Sequence, residues 1–257
     1  YFFSILKLSF LSFRNYYLSS KFYNKRLISF IPDRIFYSPS SHLSASLISI
    51  SRDFYQIVNA SPDQLWNINI KEKQKFENLH GFLWLTKLDR KKSKTITKDI
   101  IKSWLNNYFN FNPNTWQMDI TAKRIISWVS NIDITLDNSE KIYKDKFLLS
   151  LVKQSNFLLK NLNNLFNGPD KIICCAAIIL SGIIFKENDL NYKLGIKELE
   201  KIIKNYFDEL GFPKSRNTEE VFICIKYLIL IRECLKEAQK PIPDFLNEII
   251  QKCGNCY

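Results

Sequence analysis

From Ser61 to the end of the chain, apolar residues recur at helical spacing, and short Asn-, Gly- or Pro-bearing breaks divide them into segments. Ile100, Ile101, Trp104, Leu105 and Tyr108 follow an i, i+1, i+4, i+5 stripe that Thr97 is placed to cap. A second segment opens at Asp119 and carries Ile125, Ile126, Trp128 and Val129, and a longer stripe runs from Phe147 to Leu162. Others cover 172–185, 196–210, 221–235 and 245–250, with Asn167-Gly-Pro-Asp170 and Gly211-Phe-Pro213 as two of the breaks. Ser61 and Pro62 stand as N-cap and first helical residue of the whole series. With only 6 Gly and 8 Pro among 257 residues, little turn chemistry is left for hairpins. The expected class is all-α. Short connections make successive helices fold back as antiparallel pairs. A solenoid would show a repeated signature at a fixed period, and none is present. The uneven helix-pair lengths favour an incomplete α/α toroid.

Ahead of residue 61 the pattern changes twice. Residues 1–30 read as a basic amphipathic helix, with Phe3, Leu6, Phe10, Phe13 and Tyr17 at helical spacing and Lys7, Arg14 and Lys21 seven apart. The first 32 residues hold five basic side chains and no acidic one. Such a helix either lies on an anionic membrane surface or packs against its own domain. Residues 31–60 read as an extended linker, broken by Pro32 and Pro39, with one or two short strands across 48–58. Residues 61–257 form the helical domain. No run reaches the ~18 uncharged apolar residues of a membrane span. The chain starts at Tyr1 and stops at Cys253-Gly-Asn-Cys-Tyr257, which reads as a piece of a longer protein.

Lys and Arg total 37 against 25 Asp and Glu, a net charge of +12 that suits polyanions or anionic lipid. No Arg/aromatic nucleic-acid module accompanies that charge, so nucleic acid is set aside as a partner. Cys174 and Cys175 lie in an apolar run, Cys224 and Cys234 in another helical segment, and Cys253 and Cys256 form a lone CxxC. Zinc needs about four ligands, and no second CxxC or His pair completes this one. Reduced thiols are expected, with no metal and no cofactor. Dinucleotide, P-loop, nucleophile-elbow and zinc-protease motifs are all missing. His42 and His80 are the only histidines.

Three clusters nevertheless stand out. His80-Gly-Phe-Leu-Trp-Leu85 puts an imidazole near the Trp84 indole. Trp116 to Trp128 places Lys123, Arg124 and Trp128 along one helix. Gly211-Phe-Pro-Lys-Ser-Arg-Asn217 brings two cations and an amide ahead of a long helix. In this order they resemble the N-terminal helical domain of the heparinase II/III family of polysaccharide lyases, especially its alphaproteobacterial branch. Pro32-Asp-Arg34, near the end of the basic N-terminal helix, adds to that likeness. The resemblance covers essentially the whole chain.

What it implies is an incomplete α/α toroid, normally followed by a β-sandwich domain, and β-elimination on an acidic, uronate-containing polysaccharide. It also implies a cell-envelope or periplasmic setting, although no export signal is visible. Elimination needs the uronate carboxylate neutralised, a base for the adjacent C–H and an acid for the leaving oxygen. Under this reading Arg124, Lys214, Arg216 and Asn217 bind carboxylate or sulfate, and Trp84 or Trp128 stacks on a sugar ring. His80 is the one acid/base of the helical region. Core packing is the competing role for both indoles, and helix-end hydrogen bonding for His80. Two departures stand against catalysis. The family's Asn-His pair falls on Asn167-Gly-Pro-Asp170, which has no His, and Glu220 occupies the place of its Tyr. Two readings follow: the substrate-binding half of a lyase, or a non-catalytic module holding an anionic glycan or membrane surface.

Overall fold

The computed structural model describes residues 2–47, 61–66, 70 and 72–255. Helices dominate: α1 (Phe2–Ser19), α2 (Lys21–Arg26), α3 (Ser41–Leu47), α4 (Pro62–Leu65), α5 (Lys73–Gly81), α6 (Lys94–Tyr108), α7 (Met118–Val129) and α8 (Ile132–Thr135). They continue with α9 (Lys141–Asn161), α10 (Pro169–Ile184), α11 (Asp189–Tyr206), α12 (Thr218–Glu237) and α13 (Asp244–Asn255). Among the described residues there is no strand, and one isolated antiparallel bridge joins Phe207 to Pro213. The protein is all-α.

Several boundaries differ from the sequence reading for local reasons. Ser61 and Pro62 do open α4, but that helix lasts one turn. Ser93 rather than Thr97 caps α6, because the helix begins a turn earlier and buries Thr97 completely. Part of the expected linker is helical: α3 starts two residues after Pro39 and contains no Gly or Pro to stop it. The strands expected across 48–58 lie outside the described residues. The single N-terminal helix is two, because the Ser20 hydroxyl accepts from Tyr23 N–H and caps a new start there.

The helices pack in two alternating rows. α5 contacts α7, α7 contacts α10, and α10 contacts α12. Against them lie α9, which touches α7 and α10, α11 on α10, and α13 on α12. At the centre is α10, apolar all round and buried from Lys171 to Ile184, as its Ile-rich sequence requires. The extended segment before α3 crosses one end of the first row. Phe36 N–H donates to Ile184 O at the end of α10 (2.9 Å), and Ser38 Oγ to Val129 O at the end of α7 (3.3 Å). Tyr37 Oη and Ser40 N–H both donate to Glu237 at the end of α12. Three C-terminal helix ends therefore share one side of the molecule, and the segment occupies carbonyls that a helix leaves without partners.

Close approach of α10 to α11 depends on two glycines. A Cβ on Gly195 would stand 2.7 Å from Ile179 Cγ1, and one on Gly182 would collide with the backbone of Tyr192. Helix propensity alone favours Ala over Gly by about 1 kcal/mol. We expect Gly182→Ala to destabilise instead, by about 1–3 kcal/mol, because the collision outweighs propensity. Urea unfolding of the two proteins checks the sign.

Candidate functional site

The seven residues singled out by sequence fall into two separate sets. His80, Trp84, Arg124 and Trp128 lie in the interior, while Lys214, Arg216 and Asn217 lie on an exposed loop. The interior set corrects the expectation that these side chains face a glycan.

Gly81 explains how the interior set forms. A Cβ there would approach Lys123 Cβ to 3.3 Å, so its absence lets α5 press against α7. Phe82 then turns left-handed at φ 57°, a strained conformation for an aromatic residue, and ends the helix. That turn drives Phe82 into an aromatic nest. Its ring lies 5.3 Å from Trp128 and 5.5 Å from Trp84, and Trp104 meets Trp128 edge-on at 5.4 Å. Trp84 Nε1 donates to Leu79 O at 3.2 Å, whereas Trp128 Nε1 is buried with no partner. Both indoles are core, not sugar platforms.

Arg124 is fully buried and has no carboxylate partner among the described residues. Its Nε donates to Gln154 Oε1 (2.7 Å), Nη1 to His80 O (2.9 Å) and Thr115 O (3.0 Å), and Nη2 to Thr121 Oγ1 (3.2 Å). The guanidinium carbon sits 4.2 Å over the Trp104 ring. Burial pulls its proton affinity well below the ordinary value, and the charge of Asp119 opposes that. Trp104 Nε1 in turn donates to His80 Nδ1 at 3.2 Å, so His80 carries its proton on Nε2. Burial first, and Arg124 second, push His80 down to about 3 from 6.5. A neutral imidazole enclosed by Phe76, Trp66 and Tyr108 has no route to a substrate proton.

One residue earlier, Lys123 faces a different environment. Its Nζ lies 3.1 Å from Asp119 Oδ2 and 3.6 Å from Glu77 Oε2. Burial works against this ammonium, but Asp119, then Tyr227 and Glu77, hold it above the usual lysine range. Burial pushes Tyr227 up to about 12, and the carboxylates of Asp119 and Asp170 add to the rise that Lys123 resists. With Asp119 and Glu77 both paired to it, Lys123 has its charge already matched and is not left for a uronate.

The exposed loop is internally satisfied. Asp208 Oδ1 accepts from Leu210 and Phe212 N–H, and Oδ2 pairs with Arg216 at 2.6 Å. Asn217 caps α12 by accepting from Glu219 N–H at 2.9 Å. Arg216 and Asn217 thus have local structural roles, and Lys214 remains exposed. Glu220 accepts from Ser215 Oγ (2.5 Å) and from the Tyr206 hydroxyl, so a tyrosine does reach this place, from the end of α11. Burial and then Glu220 raise that phenol, which keeps it protonated.

None of the seven residues lines either of two surface clefts. The larger, of about 470 Å³, lies between the extended segment (Arg34 to Ser38) and the stretch from Ile132 to Lys144. Its neighbour, of about 200 Å³, is lined by Lys98, Asp99, Lys102 and Tyr143, and shares Asn138 and Ser139 with it. Asn138 turns left-handed at φ 54°, which Asn tolerates better than most residues. The buried Ser139 hydroxyl has no hydrogen-bond partner. Arg34 lies 4.6 Å over the Phe36 ring, which is 46% exposed. Neither Arg34 nor Lys144 forms a described ion pair, and Asp137 is the one carboxylate on that wall. In the sequence Arg34 stands out only within Pro32-Asp-Arg34, and nothing marks Lys144. The usable signal was Arg34-Ile-Phe-Tyr37, a cation beside aromatics in a Pro-bounded stretch. No protein-family model, curated protein or solved structure matches this chain.

Two outcomes follow from the buried network. Arg124→Met removes donors from acceptors in three segments and should cost about 3 kcal/mol or more in urea unfolding. For His80, the unfolded chain binds a proton at the ordinary pKa and the folded one only near 3. Stability is therefore fully retained above about pH 6.5 and falls as pH drops from there toward 3, by up to about 1.4 kcal/mol per pH unit. His80→Asn, which keeps an acceptor for Trp104, should flatten that acid limb in pH-dependent unfolding.

Proposed function

We propose that this chain is a helical module that binds an acidic glycan without cleaving it, akin to the helical half of heparinase II/III-type lyases. The observation that carries this reading is the cleft holding Arg34 and Lys144. Two cations that form no ion pair among the described residues line it with one carboxylate, next to an exposed aromatic ring. A guanidinium grips a uronate carboxylate through two parallel N–H bonds, while an ammonium supplies a point charge for a second carboxylate or sulfate. The volume lies within the range of small-molecule sites, and the mixed polar and apolar walls suit a sugar, whose ring has both kinds of surface. Binding is favoured over elimination by the placement of His80. The imidazole best suited to move a proton is enclosed, neutral and tied to Trp104.

The test is calorimetric titration of the full chain with oligogalacturonate, alongside absorbance monitoring for unsaturated uronide. We expect saturable binding that weakens with added salt, and no rise in absorbance. Arg34→Ala with Lys144→Ala should lower affinity at least about tenfold, the equivalent of about 1.4 kcal/mol. Growth of the unsaturated product would return the chain to the lyases, and an unchanged affinity in the double variant would remove the cleft from the site.

A further inference from the structure

The N-terminal helices present an outer surface that the glycan reading does not use. Their inner side is firmly docked. Leu18, Tyr23 and Leu27 are buried, and Asn24 bonds to Leu18 O, Ser20 O and Phe111 N–H. Asn156 donates to Leu27 O and Ser29 Oγ, and Asn161 to Tyr23 Oη. On a helix, Phe13 and Tyr16 fall on the side of α1 opposite Leu18. They are 72% and 78% exposed, and on α2 Phe22 is 63% exposed, with Ile31 following at 77%. These rings stay exposed although the α1–α2 junction between them is anchored by Leu18, Tyr23 and Asn24.

Charge on the same surface is of one sign. Lys21, Lys25 and Arg26 are exposed beside Phe22, with Arg26 5.3 Å over its ring, and the chain carries no carboxylate before Asp33. None of the three cations forms a described ion pair. Lys160 adds a fourth cation, its Nζ donating to Arg26 O at 2.7 Å. Large apolar side chains interleaved with unpaired cations match the two layers of an anionic bilayer surface. Rings enter the acyl boundary, tyrosine hydroxyls stay at the headgroups, and ammonium and guanidinium groups meet lipid phosphate. A hydrated polyanion would satisfy the cations but leave the rings in water. No described helix is long and apolar enough to cross the membrane.

We propose that α1 and α2 form a docking face for an anionic lipid surface, with Phe13, Tyr16 and Phe22 inserting between headgroups and Lys21, Lys25 and Arg26 gripping them. Co-sedimentation of the full chain with two kinds of vesicle tests this, phosphatidylcholine alone and phosphatidylcholine mixed with phosphatidylglycerol. Binding is expected on the mixed vesicles and not on the neutral ones. Lys21→Gln with Lys25→Gln and Arg26→Gln should lower it by about a hundredfold, from roughly fivefold per lost charge. Phe13→Ser with Phe22→Ser should lower it as well, with an unchanged thermal melt, since these rings are exposed in the folded protein. Equal binding to both vesicle types, or indifference to either variant, overturns the proposal. So does concentration-dependent dimerisation without lipid that Phe13→Ser and Phe22→Ser abolish, which would assign the face to a second copy of the chain.

Discussion

A guanidinium with no counter-ion is an expensive thing to bury, and Arg124 is kept in place only because three separate segments supply its acceptors. Gln154 comes from α9, the His80 carbonyl from the end of α5, and the Thr115 carbonyl from the loop ahead of α7. Trp104 of α6 covers the flat face. Four helices are thereby held in one register around a group that tolerates few other arrangements. Apolar packing alone would bind them without specifying their rotation as closely, because dispersion contacts are non-directional. Gly81 and the left-handed turn at Phe82 belong to the same device, since they aim the His80 carbonyl and close the aromatic nest beside it.

That register decides where anything can bind. With α7 and α10 ending on one side, Val129 O and Ile184 O would stand open to water if nothing crossed them. The Arg34–Ser40 segment crosses them, and its hydrogen bonds to Ile184, Val129 and Glu237 fix its path. The larger cleft is the space left between this path and the turn at Asn138. Arg34 and Lys144 thus owe their positions to helix ends they do not touch. The buried hub and the cleft are linked through the row of helices, one setting the spacing that the other exposes.

Much of the fold is legible in the amino-acid order, because a 3.6-residue stripe has one cheap solution in water. The stripe across Ile100–Tyr108 becomes α6, and the continuous apolar run at Ile172 becomes the central helix. What a stripe does not encode is which row a helix joins, so helices folding back on one another are readable and an incomplete toroid is not. The candidate site reads less well for a chemical reason. Histidine, arginine and tryptophan close together serve equally well to hold a sugar or to weave a polar core, and only burial separates the two uses. His80, Trp84, Arg124 and Trp128 belong to the second. Arg216 and Asn217 are exposed, yet an ion pair to Asp208 and a helix cap account for both. Lys144, half-buried in the structure, carries no local signal, since in sequence a lysine near a helix start looks like any other solvated charge.

The net charge of +12 is unevenly spread, and its distribution says more than its size. On α5, α11 and α13 lysines are matched by acids one turn away, in Lys73–Glu77, Lys193–Asp189, Lys204–Glu200 and Lys252–Glu248. Such pairs stabilise a helix only slightly, and they leave little field at a distance. Residues 1–32 contribute five positive charges and no negative one, so they supply five of the twelve. Arg34 follows that run after Asp33, and Lys144 lines the same cleft from α9. Unpaired charges project potential and paired ones cancel. What separates the two parts of the region is the apolar surface beside the cations. One ring in a cleft with polar walls suits a ligand that remains hydrated on one side. Several rings standing clear of a docked helix pair suit a partner with an apolar interior.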